Sequence, residues 1–317
     1  MTLRMGNTKR FVLIESSEMY AERNVFLLIE ALFIKKMRKG KIFILGCFVA
    51  GFLITALIIY GIWIEPYRID IHHVSIHDKY LGKLLDNKVI VQISDLHMRK
   101  IENREQKILA ALNELGPDLV FLTGDYVKWD GDYERALDFL SRLRANIGVW
   151  AVMGDYDYSN SRKSCSFCHE EGSGAPTRRH AVRFLKDSME LVRLPEGILR
   201  IEGVDGEGGN IFSPKKTFAS LDGKIPTIIL SHSPLNFDLI SDNINVLMLA
   251  GDTHGGQVPL PGWIFRVVGY EKNALYNQGL FEKGQKKMFV SRGIGTSHLP
   301  LRLFTPPEIV VFHFSSQ

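Results

Sequence analysis

KVIVQISDLH, residues 88–97, is an apolar run that closes on an acid and an imidazole. Residues 88–94 read as a buried strand, and Asp95 and His97 follow at its carboxyl end. The pattern recurs. DLVFLTGD (118–125) ends in Asp125 and GVWAVMGD (148–155) ends in Asp155. PTIILSHS (226–233) delivers His232, and NVLMLAGDTHGGQ (245–257) delivers Asp252 and His254. Between the first three strands, NREQKILAALNEL (103–115) has helical spacing behind an Asn cap, and DYERALDFLSRLRA (132–145) reads as a second helix. Strands alternating with helices predict βαβ units and a parallel sheet. In such sheets ligands bind at the carboxyl ends of the strands.

Any one of these residues alone is commonly a capping Asp or a core His. Their arrival at successive strand ends defines a site. Carboxylate and imidazole together suit Mn, Fe or Zn. Two such ions, about 3.5–4 Å apart, can clamp an in-line displacement at phosphorus. Gly124, Gly154, Gly251 and Gly255 leave room for tight turns beside the ions.

After residue 226 the rhythm changes. WIFRVV (263–268), KMFVSR (287–292) and EIVVFHF (308–314) read as strands with few helices between them, and predict a second, more antiparallel sheet. The expected fold class is α/β: two packed mixed β-sheets flanked by helices, preceded by one transmembrane helix.

The order DLH, GD, GDYD, SHS, GDTH from Asp95 to His254 resembles the calcineurin-like metallophosphoesterase signature DxH, GD, GNH[DE], H, GHTH. EPYR before the first strand, GGQ after His254, and SRGIGTS, LPLR and PPEI near the C-terminus resemble its membrane-anchored bacterial branch, which includes a UDP-2,3-diacylglucosamine hydrolase. The resemblance implies a four-layer sandwich and a dinuclear-metal hydrolase of phosphodiester or pyrophosphate bonds. It implies that Asp95, His97 and His254 bind a first metal, that Asp125 bridges, and that Asp155, His232 and Asp252 bind a second. Three positions depart from the pattern. Asp155 stands where the family has Asn, Tyr156 where it has a His serving the leaving group, and Asp252 where it has a metal-binding His. The extra carboxylates make the second site harder and favour Mn or Mg over Zn. Tyr156 keeps only a neutral hydroxyl.

Directly after these departures, a Gly/Ser/charge-rich insertion of about residues 159–180 holds SCSFCHE, with Cys165, Cys168 and His169. The spacing Cys-x-x-Cys-His suits a c-type haem. It also suits zinc held by both Cys with one or both of His169 and His180, or a disulfide, or free thiols. His169 is in addition a candidate donor to the leaving group in place of the missing imidazole, beside Tyr156. The second function class is therefore a degenerate phosphoesterase scaffold used as a haem- or metal-binding redox or sensor module.

The chain is 45% hydrophobic and 23% charged with a formal net charge of +4, too little positive charge to argue for a nucleic-acid partner. Residues 42–64 carry no charged side chain, and as a helix would extend roughly 34 Å, enough to cross a bilayer. Lys35, Lys36, Arg38, Lys39 and Lys41 precede this run, and only Arg68 follows it closely. The positive-inside bias places residues 1–41 in the cytoplasm, 42–64 as a single-pass anchor in a bacterial inner membrane, and 65–317 outside it. Met37 is an alternative start, because MRKGK with the apolar run forms a complete signal anchor.

Overall fold

A computed structural model describes residues 28, 35–36, 41–98, 103–128, 133–157, 179–204, 213–297 and 299–316. Met37, Cys165, Cys168 and His169 lie outside the described residues. Two units are distinguished, Met1–Ile58 and Ile59–Gln317. The helix α1 (Lys41–Tyr67) is long and apolar enough to cross a membrane, by length and composition.

The second unit begins its fold with β1 (Asp70–His77), α2 (Lys79–Leu85), β2 (Ile90–Ile93), α3 (Asn103–Leu115), β3 (Leu119–Thr123), α4 (Tyr133–Arg142), β4 (Gly148–Val152) and β5 (Val182–Phe184). There follow β6 (Ser188–Leu194), β7 (Gly197–Val204), α5 (Ser213–Phe218), β8 (Thr227–Ser231) and β9 (Leu247–Ala250). The chain ends with α6 (Gly262–Val267), α7 (Glu271–Leu275), β10 (Gly279–Lys283), β11 (Lys286–Val290) and β12 (Glu308–Ser315). The strands form two six-stranded sheets, ordered β1-β12-β2-β3-β4-β5 and β10-β11-β9-β8-β7-β6. Both are mixed. In the first, β2, β3, β4 and β5 run parallel while β12 pairs antiparallel with β2. In the second, β7, β8, β9 and β11 are parallel, with antiparallel partners at the two edges.

Period-two alternation builds the layers. Leu119 and Phe121 of β3 pack between the sheets with Ile228 and Leu230 of β8, Leu247 and Leu249 of β9, and Trp150 of β4. Val120 and Leu122 face the other way, against Ile108 and Leu112 of α3 and Phe139 of α4. Ile229, Met248 and Ala250 face outward from the second sheet onto Phe218 of α5 and Phe237. A central strand is thus covered on both faces and must be apolar throughout, which is why these strands read as unbroken apolar runs.

Two expectations fail. WIFRVV is helical, in α6. Pro261 caps its start, Gly269 at φ 84° follows its end, and only Phe265 is buried. A short apolar run does not by itself distinguish strand from helix. EIVVFHF does form a strand, but β12 inserts into the first sheet, between β1 and β2. The second sheet accordingly keeps a parallel centre.

Candidate metal centre

The turns after β2, β3, β4, β8 and β9 meet at one edge of the paired sheets. Five of the seven candidate ligands hold left-handed backbone: Asp95 (φ 53°), His97 (44°), Asp125 (58°), Asp252 (75°) and His254 (53°). Non-glycine residues rarely adopt this conformation, and its concentration here marks a site whose geometry the surroundings impose. Gly154 and Gly251 are required by close approach. A β-carbon on Gly154 would collide with Asp125 Oδ1, and one on Gly251 with Ser94 Oγ.

Two groups of ligand atoms result. Those of Asp95, His97 and His254 lie within 4.8 Å of one another, as do those of Asp95, Asp125 and His232, and all five residues are buried. The Nε2 atoms of His97 and His254 are 3.0 Å apart. Asp125 divides its oxygens. Oδ2 lies 3.3 Å from His97 Nε2, while Oδ1 lies 3.5 Å from His232 Nε2. His232 donates from Nδ1 to the Thr123 carbonyl at 2.8 Å, which in the neutral imidazole leaves Nε2 as the lone-pair nitrogen. That Nε2 is buried without a hydrogen-bond partner. An orphaned acceptor facing a carboxylate oxygen is a fitted position for a cation. The donor set of imidazole nitrogens and carboxylate oxygens matches divalent first-row ions.

The remaining candidates stand further out. Asp155 is half-buried, its Oδ1 3.7 Å from His232 Nε2. Asp252 belongs to neither group. Its backbone N–H donates to Asp95 Oδ1 at 3.0 Å, and its carboxylate pairs with the Lys272 ammonium from α7. Tyr156 packs edge-on to His97, ring centroids 4.8 Å apart, and its backbone N–H donates to Asp125 Oδ1 at 3.1 Å.

Burial raises Asp95 to about 6 and Asp125 well above the usual carboxylate range, because neither charge is solvated. Burial lowers His97 and His254 well below the usual imidazole value. At His232 burial works against the charge, but the carboxylates of Asp125, Asp252, Asp95 and Asp155 outweigh it and the imidazole is raised. Crowded carboxylates that retain protons are what a compensating cation relieves.

Three further residues were not singled out as site residues by sequence. Asp157, fully buried, accepts from the backbone N–H groups of Asp125 (2.7 Å), Tyr126 (2.7 Å) and Gly154 (2.8 Å), tying the β3 turn to the β4 turn. Its signal lay in the last letter of GDYD. Arg302, from LPLR, is buried and donates to the carbonyls of Arg292 (2.8 Å), Gly293 (3.1 Å) and Thr305 (3.0 Å), with Nη2 3.4 Å from His254 Nδ1. Lys272 had no signal, since nothing local marks it as the partner of Asp252. Beside the centre opens a cleft of about 640 Å³, lined by Asp125, Asp155, Tyr156 and Asp252 on one side and by Ile264, Val268, Leu299 and Leu301 on the other.

Two mixed sheets that converge carboxylates and imidazoles on adjoining metal-type groups define a metallophosphoesterase. A family model described as calcineurin-like phosphoesterase matches residues 88–256, more than half of the chain, and the chain belongs to this family of metal-dependent hydrolases of phosphoester bonds. It is 27% identical over 266 residues to the metallophosphoesterase YkuE of Bacillus subtilis (strain 168), covering 81% of this chain and 89% of that protein. It is 28% identical over 273 residues to the UDP-2,3-diacylglucosamine pyrophosphatase LpxG of Chlamydia muridarum, covering 70% and 82%. Against the phosphodiesterase YaeI of Escherichia coli (strain K12) it is 29% identical over 203 residues, covering 62% and 70%.

Proposed function

We propose that this chain is a membrane-anchored hydrolase of a phosphodiester or pyrophosphate bond in a lipid-linked or nucleotide-linked substrate, of which UDP-2,3-diacylglucosamine is one example. It uses two divalent ions, with Mn preferred over Fe, Zn or Mg. The observation that carries the reading is the division of Asp125, one oxygen towards His97 and the other towards His232. Asp95, His97 and His254 hold the first ion, Asp125 is shared, and His232 with Asp155 serves the second. When bound, such ions neutralise charge on the phosphoryl oxygens and activate the attacking water. The chain's own residues do the rest. The Tyr156 backbone N–H donates to the Asp125 carboxylate, Asp157 holds the Asp125 backbone N–H, Arg302 stands against the His254 ring, and Tyr156 offers its hydroxyl beside the cleft. The lipid-linked substrate is supported by the apolar α1 and by the likeness to LpxG.

The test is the full chain in detergent with bis-p-nitrophenyl phosphate and added Mn. Hydrolysis that a chelator abolishes is expected, and Asp125→Asn lowers it more than about a hundredfold, as loss of a preorganised electrostatic element does. Bound Mn, by elemental analysis, falls with it. Undiminished Mn content in Asp125→Asn removes the shared-ligand assignment. The charge bias around α1 supports a domain outside the cytoplasm, whereas a UDP-linked lipid made inside requires the opposite. A reporter fused after Gln317 decides which holds.

A further inference from the structure

One feature around the cleft is unused by the metal centre: exposed apolar side chains. α6 holds Trp263 and Val267 four residues apart, on one helical face, 66% and 78% exposed. Its other side buries Phe265 and lines the cleft with Ile264. Val268 and Leu299 line the same cleft and are themselves exposed. Single exposed apolar residues are ordinary, but Val268 and Leu299 in the cleft lining, with Trp263 and Val267 on the helix that also lines it, mark an interaction surface.

The structure also indicates what covers it. The loop from Leu299 to Thr305 is fastened to the end of α1, inside the same unit. Arg302 N–H donates to the Gly61 carbonyl at 2.9 Å. Glu65, buried, accepts from the backbone N–H groups of Phe304 (2.9 Å) and Thr305 (2.6 Å). A β-carbon on Gly61 would come 2.5 Å from Leu301 Cδ1, so loop and helix end are in direct contact. The last apolar residues of α1, Trp63 and Ile64, are exposed beside this junction. One loop therefore touches both the end of the span-length helix and the wall of the cleft.

We infer that the apolar rim formed by Trp263, Val267, Val268 and Leu299 docks on the lipid bilayer surface, and that the cleft receives an acylated phosphoester from the lipid phase. The second half rests on the phosphoesterase reading above. Trp suits the boundary between headgroups and acyl chains, where apolar faces sink about 5–10 Å. Arg266, exposed on the same helix, suits anionic headgroups.

The test uses the full chain in vesicles of phosphatidylethanolamine and phosphatidylglycerol, with and without dibrominated acyl chains. Bromine quenches Trp emission on contact, and Trp63 is common to parent and variant. The difference between the parent and Trp263→Phe therefore isolates the rim. A quenched component that Trp263→Phe removes is expected. The double variant Trp263→Asp/Val267→Asp is expected to slow hydrolysis of a long-chain alkyl p-nitrophenyl phosphate in the vesicles about tenfold, the factor set by 1.4 kcal/mol. Hydrolysis of soluble bis-p-nitrophenyl phosphate stays at the parent level. A Trp263 component that brominated lipid does not quench overturns the inference. A blue-shifted but unquenched component overturns it in favour of a second copy on the rim. If Trp263 is quenched but neither ester is hydrolysed, docking stands and the phosphoesterase reading falls.

Discussion

Lys272 is the residue whose position most changes the reading of the second metal site. Relative to the family pattern, Asp252 replaces a neutral imidazole by a carboxylate, in a pocket that already holds Asp95, Asp125 and Asp155. The ammonium of Lys272 pairs with it. Two opposite charges at short range in a partly buried site hold each other firmly, so on the two-ion reading proposed above the ammonium would compete with the second ion for Asp252. Lys272→Ala is expected to release that carboxylate and raise the Mn bound per chain, measured by elemental analysis after gel filtration in limiting Mn. Unchanged stoichiometry would mean that Asp252 never reaches the second ion. Tyr156 poses a different question. Its ring stands against His97 and at the cleft wall, and the family pattern has a leaving-group donor at its position. A phenol with an ordinary value near 10 is a poor proton donor at neutral pH, and a well-placed acid supplies roughly 10²–10⁴-fold. Tyr156→His is therefore expected to raise turnover, by about tenfold or more, and to add an acid-side optimum to the pH profile. A flat profile at parental turnover would show that leaving-group protonation is not limiting.

At the scale of elements, the site depends on two turns held in register by one carboxylate. Asp157 collects four backbone N–H groups from the turns after β3 and β4, three of them, from Asp125, Tyr126 and Gly154, at 2.7–2.8 Å and that of Val127 at 3.4 Å. Removing the acceptor leaves buried donors unpaired, and Asp157→Ala is expected to cost roughly 2–4 kcal/mol. Thermal unfolding of the metal-free chain measures this, and a midpoint equal to the parent's would make these bonds incidental. The strands that carry the site were legible in the sequence because each is covered on both faces. β3, β4, β8 and β9 are apolar through their interiors and β2 is interrupted only by the buried Gln92, which bonds Thr123 and the Ala250 carbonyl; the ligands stand just after these strands. The edge strands were not legible. β1 reads DIHHVSIH, β6 reads SMELVRL and β10 reads GLFEK, because an outer strand needs apolar side chains on few positions. α6 was misread for the converse reason: it exposes the apolar residues that a strand would have buried. β12 was read correctly as a strand and assigned to the wrong sheet, since an apolar run records burial and says nothing of which neighbour covers it.

For the molecule as a whole, the sheets bring buried acids and imidazoles into one volume, and this makes stability depend on pH in a way that metal should reverse. Burial raises Asp125 well above the ordinary carboxylate value, and His232 is raised by the surrounding carboxylates in spite of burial. Both hold more proton in the folded chain than in the unfolded one. Burial lowers His97 and His254, so only above about pH 7.5, a unit beyond the ordinary imidazole value, are these two neutral in both states and without effect on the slope. Below that, Asp95, raised to about 6, and Asp157, raised to about 7, act against the two lowered imidazoles. Stability falls with rising pH wherever the native state binds the extra proton. The metal-free chain is therefore expected to lose stability as the pH rises above about 7.5. Divalent ions bind only the deprotonated ligands, and stabilise the fold more as those protons leave. Scanning calorimetry of the full chain in detergent, with chelator and then with Mn, is the measurement. The chelated midpoint should drop above about pH 7.5 while the increment due to Mn widens. A chelated midpoint that climbs in that range would place the buried protons elsewhere than on Asp125 and His232, and would remove the electrostatic case for a cation between them.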